Sequence, residues 1–220
     1  MNASRRALAA VLSLARIVAL ACVMSLHPVG HALAQGAIAA QLAMPRSLPQ
    51  IALGSTKAPV IITEYASMSC SHCAAFAENV FPMLRSKYID TGKVRFVFRE
   101  FPLDIKAAAA SMLARCIAGD DAEKYFGAVR LLFQQQEALL AQTKDTLKRI
   151  GDQAAGMSEQ AVEACVKDQA LLDKLSADQR FAFDILKVDS TPTFFVNGER
   201  LKGAMSFEEL DRKIKSRLKK

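Results

Sequence analysis

Two cysteines three residues apart, Cys70 and Cys73, stand where one backbone geometry gives way to another. Ahead of them, Val60-Ile61-Ile62-Thr63-Glu64-Tyr65 is β-branched and aromatic and follows Ala58-Pro59, which is the pattern of a strand. Behind them, Phe76, Val80, Leu84 and Tyr88 recur at four-residue steps, which stacks them on one helical face. Pro82 lies inside that stretch and predicts a kink, because it has no N–H to give and its ring crowds the preceding turn. Asp90-Thr91-Gly92 reads as a turn, and Val94-Arg95-Phe96-Val97-Phe98-Arg99 as a second strand. A strand, a helix and a strand within about forty residues allow a right-handed parallel crossover. The chain is therefore expected to build at least half of an α/β sheet around the cysteine pair.

Residues 104–187 change character: they are rich in Ala, Leu, Gln and charged side chains, show helical spacing and contain no clear strand. Punctuation at Gly119-Asp120, Gly151 and Gly156 suggests four or five helices. The β pattern returns in Thr193-Phe194-Phe195-Val196, turns at Asn197-Gly198 as a hairpin does, and continues through Arg200-Leu201. A last helix follows Ser206, with Phe207, Leu210, Ile214 and Leu218 on one side and Ser206 with Glu209 forming a capping box. The expected class is α/β, a small sheet layered with helices, its two parts (51–103 and 188–220) separated by an inserted helical subdomain at 104–187. Residues 35–50, ending in Pro45 and Pro49, read as a loosely ordered lead-in.

The first 34 residues have the marks of an export signal. Arg5 and Arg6 precede an apolar run through Met24, interrupted by Arg16, and Ala32 and Ala34 give the small-residue pattern of a cleavage site. Ser4-Arg5-Arg6 also resembles the start of a twin-arginine signal, and Cys22 sits in a poor imitation of a lipoprotein site. Ordinary cleavage after Ala34 is the preferred reading. It removes three of 29 basic residues and leaves 26 against 22 acidic ones, a net of +4. No basic stripe interleaved with aromatics marks a nucleic-acid surface, and the Lys-rich end from Lys213 to Lys220 suits the last turns of a helix.

Cleavage also changes the cysteines. Cys22 leaves, as do His27 and His31, so that Cys70, Cys73, Cys116 and Cys165 remain and His72 is the sole histidine. In an oxidising compartment two bridges are expected, and of three possible pairings the choice here is Cys70–Cys73 with Cys116–Cys165. The second would close a loop of about 50 residues, worth about 3–4 kcal/mol of chain entropy. Plain buried thiols are the alternative for Cys116 and Cys165. A zinc site would need four ligands, and neither Cys116 nor Cys165 has companion histidines, so no metal is expected.

A thiolate attacks disulfides where a thiol does not, so a reactive cysteine needs its pKa brought down from about 8.5. Cys70 falls at the start of a predicted helix, where unpaired N–H groups and the helix dipole favour an anion, and a protonated His72 would add to this. Stabilising the thiolate also favours the dithiol over the disulfide and makes the oxidised pair a stronger oxidant. Cys73, one turn on, is placed to resolve a mixed disulfide formed at Cys70. Glu64 is a carboxylate in an apolar strand. Buried, it would have a raised pKa and could exchange protons with Cys73; facing outward, it would be an ordinary strand residue.

The segments Glu64-Tyr65-Ala66-Ser67-Met68-Ser69-Cys70-Ser71-His72-Cys73-Ala74-Ala75-Phe76, Phe98-Arg99-Glu100-Phe101-Pro102-Leu103 and Ser190-Thr191-Pro192-Thr193-Phe194-Phe195-Val196-Asn197-Gly198 together resemble the DsbA-like proteins of bacterial periplasms. The likeness runs in order from about Ala52 to the C-terminus. It implies a thioredoxin fold with a helical insertion, Cys70 as nucleophile, Cys73 as resolving thiol, Glu64 as the buried acid and Pro192 as the cis-proline. Ser71, Thr191 and Pro192 would then border the bound substrate chain. Ser71 replaces the more usual proline between the cysteines, and Thr191 also occurs in disulfide isomerases. The implied activity is a periplasmic thiol:disulfide oxidoreductase, a monomer without a bound cofactor. It would pass the Cys70–Cys73 disulfide to reduced exported proteins and be reoxidised by a quinone-linked, DsbB-like membrane oxidase. An isomerase or reductase of the same fold, and a peptide-binding chaperone, are the rival readings.

Overall fold

A computed structural model describes the backbone of residues 27–219 and the side chains of residues 35–219. The leader reading, with Arg5, Arg6, Cys22, His27, His31 and the cleavage point at Ala34, lies outside the residues whose side chains are described.

Five strands form one mixed sheet: β1 (Ile51–Leu53), β2 (Val60–Ala66), β3 (Val94–Glu100), β4 (Thr193–Val196) and β5 (Glu199–Lys202), in the spatial order β1-β3-β2-β4-β5. β2 and β3 run parallel, with Glu64 opposite Phe98; every other neighbouring pair is antiparallel. β1 has no counterpart in the sequence reading. It is too short for a periodic signal, and it is held by burying Ile51 and Leu53.

The crossover between β2 and β3 contains α2 (Ser71–Asn79) and α3 (Phe81–Leu84), the latter continuing into a π-helical turn at Arg85–Ile89. Pro82 does more than kink the helix: α2 stops and α3 restarts around Val80, with Pro82 in its first turn, where a missing N–H costs nothing. Phe76, Leu84 and Tyr88 nevertheless all reach the core, with Val80 half-buried against it. Between β3 and β4 stand six helices: α4 (Ile105–Ala118), α5 (Ala122–Gln134), α6 (Gln136–Ala141), α7 (Thr143–Ala155), α8 (Glu159–Val166) and α9 (Gln169–Asp184). The expected four or five falls short because α6 is bounded by Gln135 and Gln142, which end helices here without glycine or proline to announce it. The closing helix α10 (Phe207–Leu218) starts from the Ser206/Glu209 capping box.

Residues 35–50 also depart from expectation. A helix, α1 (His27–Ala43), runs to Ala43, and Ile38 and Leu42 pack on the sheet face formed by Tyr65, Phe101 and Phe195. Apolar anchoring supplies the order that composition alone did not suggest. The larger core lies on the opposite face. There Val60, Ile62 and Ala66 of β2 meet Phe96 and Phe98 of β3, Phe76 of α2 and Phe126 and Phe133 of the inserted helices.

Glu100, the last residue of β3, couples the sheet to that insertion. Its carboxylate accepts from Arg115 Nε at 2.5 Å and Nη2 at 2.7 Å, and from the Tyr125 hydroxyl at 2.5 Å. Arg115 also donates to the Pro49 carbonyl at 2.8 Å. Farther into the insertion, Cys116 of α4 and Cys165 of α8 form a disulfide, 49 residues apart in the chain.

Candidate active site

Strand β2 ends at Ala66, and the chain turns through Ser67-Met68-Ser69, where the Cys70 N–H donates to the Ser67 carbonyl at 3.1 Å. Helix α2 then begins with Cys70 as its N-cap, a position that usually takes an oxygen-bearing side chain. Here sulfur serves: the Cys73 N–H points at Cys70 Sγ at 3.2 Å. An atom so placed faces the unpaired amides of the first turn, and negative charge on it is favoured. The sulfur is pulled down to a pKa of about 6. The Cys73 side chain, as hydrogen-bond donor, is the largest cause, burial opposes it, and Thr191 and the backbone N–H groups of Cys73 and His72 add to it. The contribution of His72 thus comes through its main chain; the imidazole itself is exposed, as is Ser71.

Cys73 is its opposite. It is wholly buried, and burial, the hydrogen bond it gives to Cys70 and the nearby Glu64 carboxyl all push its thiol upward, so it holds its proton. Both cysteines are free thiols, so the pair is in its dithiol form, and among the described residues Cys116–Cys165 is the one disulfide where the sequence reading expected Cys70–Cys73 as a second. The three-residue offset puts both sulfurs at the same helix end, and the pair gains or loses electrons together.

Glu64 resolves the alternative left by its sequence. Within β2 it shares its face with Val60, Ile62 and Ala66, and so it points into the larger core. It is 3% exposed, and its Oε1 has no hydrogen-bond partner among the described residues. Burial, with a smaller effect of Cys70, raises its pKa well above the usual carboxylate range. A carboxyl so raised keeps its proton more readily than a free one, and it is electrostatically coupled to both Cys70 and Cys73.

The fourth part comes from the far end of the chain. The Thr191–Pro192 peptide is cis, and the Thr191 carbonyl lies 3.4 Å from Cys70 Sγ, positioned to accept from the thiol. The Thr191 hydroxyl is buried and meets no partner at full hydrogen-bond geometry, although it is close enough to favour the Cys70 thiolate. The structure therefore brings Glu64, Cys70, Cys73, Thr191 and Pro192 together and leaves Cys116 and Cys165 apart in the insertion. Leu103 and Ile105 are exposed beside the cysteine turn, to which the Leu103 N–H is tied through Ser67 Oγ at 3.2 Å.

One contributor escaped the sequence reading. Gln136, at the start of α6, donates from Nε2 to the Met68 carbonyl at 2.8 Å and to the Cys70 carbonyl at 3.1 Å. It fixes the main chain on both sides of Ser69 and so sets the direction in which the helix amides face Cys70. Nothing in its local sequence distinguishes it from its neighbours Gln134 and Gln135. Among the described residues, no group of three or more His, Cys, Asp and Glu side chains is arranged to hold a metal ion, and no helix is long and apolar enough to cross a membrane.

Residues 46–216 match the family model described as thioredoxin. A Rickettsia felis protein named as a protein-disulfide oxidoreductase is 35% identical over 146 residues, covering 66% of this chain and 52% of the relative, so the chain spans about half the length of such relatives. The disulfide bond formation protein D of Bacillus subtilis is 26% identical over 180 residues, covering 77% of this chain and 78% of that one. Among solved structures, alpha-DsbA1 of Wolbachia pipientis superposes with a TM-score of 0.72 at 32% identity, covering 80% of this chain and 94% of its own. The dithiol at a helix end, the six-helix insertion and these likenesses agree: the chain belongs to the thioredoxin family, as a DsbA-like member.

Proposed function

We propose that the chain is a protein dithiol oxidase that donates a Cys70–Cys73 disulfide to reduced proteins. The observation that carries this reading is the asymmetry of the pair: Cys70 is drawn down to about 6 at the helix end while Cys73 is buried and pushed up. A client thiolate attacks Cys70 Sγ; the Cys70–Cys73 bond breaks, and its electrons leave with Cys73, which takes a proton from the neutral Glu64 carboxyl. A second client thiolate then attacks the client sulfur of the mixed disulfide. The client disulfide forms, and Cys70 leaves as the thiolate that the helix end stabilises. Two electrons have passed to the enzyme, and Glu64 regains its proton from solvent. Cys70 is the nucleophile of the reverse reaction, Cys73 the resolving thiol, and the main chain at Thr191 and Pro192 with the exposed Ser71 receives the client. The redox carrier is the pair of sulfurs, with no added cofactor.

The resemblance and the export-signal pattern of the first 34 residues support action in the periplasm, on exported proteins. Reoxidation falls to a quinone-linked, DsbB-like membrane partner, and the enzyme acts as a monomer. The deciding experiment is the equilibrium of the pair with glutathione. A strongly oxidising value, nearer about −120 mV than about −270 mV, supports disulfide donation. A value at the reducing end would assign the protein to the reductases, and full function in the Cys70→Ser/Cys73→Ser double variant would make it a binding module.

A further inference from the structure

Beneath α2, on the side of the sheet that carries the insertion, lies a cavity of about 380 Å³ bounded by α2, α3, β3 and α5. That volume is in the range of small-molecule sites. Its walls include Phe76, Phe96, Phe98 and Phe126, and Glu64, 3% exposed, lines it from the buried side. The Glu64 Oε1 atom is buried and without a partner among the described residues, a condition that a polar atom in a protein interior seldom keeps.

A second feature concerns the helix that closes the cavity. Gly127 lies in the middle of α5 and lines the space. Glycine is a poor helix former, yet no left-handed angle occurs there and an added Cβ would meet nothing within 4 Å. Neither backbone conformation nor crowding calls for glycine; what its missing side chain provides is room.

The mouth carries Arg85, Glu123 and Arg130. Arg85 is engaged, at 2.9 Å from Glu123 and 3.4 Å from Asp90. Arg130 contacts Gln134 at 3.3 Å and has no carboxylate within 4.0 Å among the described residues. An aromatic-lined space thus has a polar atom seeking a partner at one end and a free cation at the other.

We propose that this cavity binds a small hydroxyaryl carboxylate, its ring among the phenylalanines, its hydroxyl on Glu64 and its carboxylate at Arg130. The site does not depend on the thiol chemistry assigned above. One consequence does: an occupant hydrogen-bonded to Glu64 would hold the proton that Cys73 needs and so slow exchange.

The test uses para-hydroxyphenylacetate as probe, with phenylacetate lacking the hydroxyl and tyrosol lacking the carboxylate, measured by calorimetry and ligand-observed NMR on the reduced protein. Saturable binding of the probe is expected, weakened about 5–10-fold for either analogue, the loss of one good hydrogen bond or charge contact. Gly127→Leu, which fills the cavity, should abolish binding while the protein still melts cooperatively. Arg130→Gln should erase the preference for the probe over tyrosol. No saturable binding at millimolar probe, or undiminished binding by a cooperatively melting Gly127→Leu protein, would overturn the proposal. Should Gly127→Leu fail to fold, an unchanged preference in Arg130→Gln would overturn it instead. Binding that leaves the exchange rate untouched would refute the coupling to Glu64 alone.

Discussion

Glu64 and Glu100 are both buried carboxylates on neighbouring parallel strands, 3% and 5% exposed, and their circumstances differ in every other respect. Glu100 is saturated. Burial alone would raise its pKa, but the Arg115 charge and the hydrogen bonds from Arg115 and Tyr125 more than offset that and hold it below the usual carboxylate range. Glu64 keeps an oxygen without a partner and is raised well above that range. What separates the two carboxyls is the company each keeps, since residue type and burial are nearly the same. A satisfied charge rigidifies, and an unsatisfied acid has its proton available.

The sharpest way to break this contrast is to remove the saturated partner. Glu100→Ala leaves Arg115 a buried cation without its carboxylate, which should cost about 3–5 kcal/mol. For a chain of this size that is a melting temperature lower by about 6–20 °C, read by calorimetry, with the Cys70 titration unmoved. A shift of only a degree or two would show that the ion pair is not the tie between sheet and insertion.

Next in size is the disulfide in the insertion. Cys116→Ser/Cys165→Ser should lose about 3–4 kcal/mol of stability while thiol exchange at Cys70 proceeds at its ordinary rate. A slower exchange would mean that the two parts are coupled.

Glu64→Gln should do the reverse of Glu100→Ala: stability at neutral pH is kept or improved, and formation of the mixed disulfide, the step in which Cys73 takes its proton, slows about 10²-fold, the usual contribution of a placed acid or base. The two residues also oppose one another in pH dependence. The lowered pKa of Glu100 means that its stabilisation is complete above the unfolded value of about 4.3 and is lost as pH falls through its folded value. The raised pKa of Glu64 means that the folded chain holds this proton more tightly. Its contribution is therefore complete below about 4.3 and is lost as pH rises through its folded value. Denaturant titration across pH should show Glu64→Gln flattening the decline that begins above about pH 4.3, while the loss at more acid pH that Glu100 causes stays in place. The smallest effect is expected from Gln136→Leu. Freed from their donor, the Met68 and Cys70 carbonyls can turn, and the Cys70 pKa should rise by about half a unit, the equivalent of a weak hydrogen bond.

The same pair of glutamates shows what a sequence discloses. Glu64 stood out as a carboxylate in an apolar strand, yet its direction was undecidable because Thr63, Glu64 and Tyr65 are all buried in a central strand covered on both faces, which removes the alternation. Glu100 gave no signal, since its meaning lies in Arg115 and Tyr125, 15 and 25 residues away on other elements. Cys70 was legible because strand end, helix start and second cysteine fall within a few residues, all local properties. Gln136 was not, because its two contacts span 68 and 66 residues. The order of strands and helices followed from periodicity and turns, whereas β1, α6 and the order of residues 35–43 come from packing that no local pattern encodes.

How Cys70 ionises is measured directly by titrating the reduced protein through thiolate ultraviolet absorbance. A single transition centred at about 6, abolished by Cys70→Ser and retained in Cys73→Ser with a higher midpoint, is the expected result. A midpoint near the free-cysteine value of about 8.5 would show that the helix end does not hold the anion, and the contrast between the two thiols would fail with it.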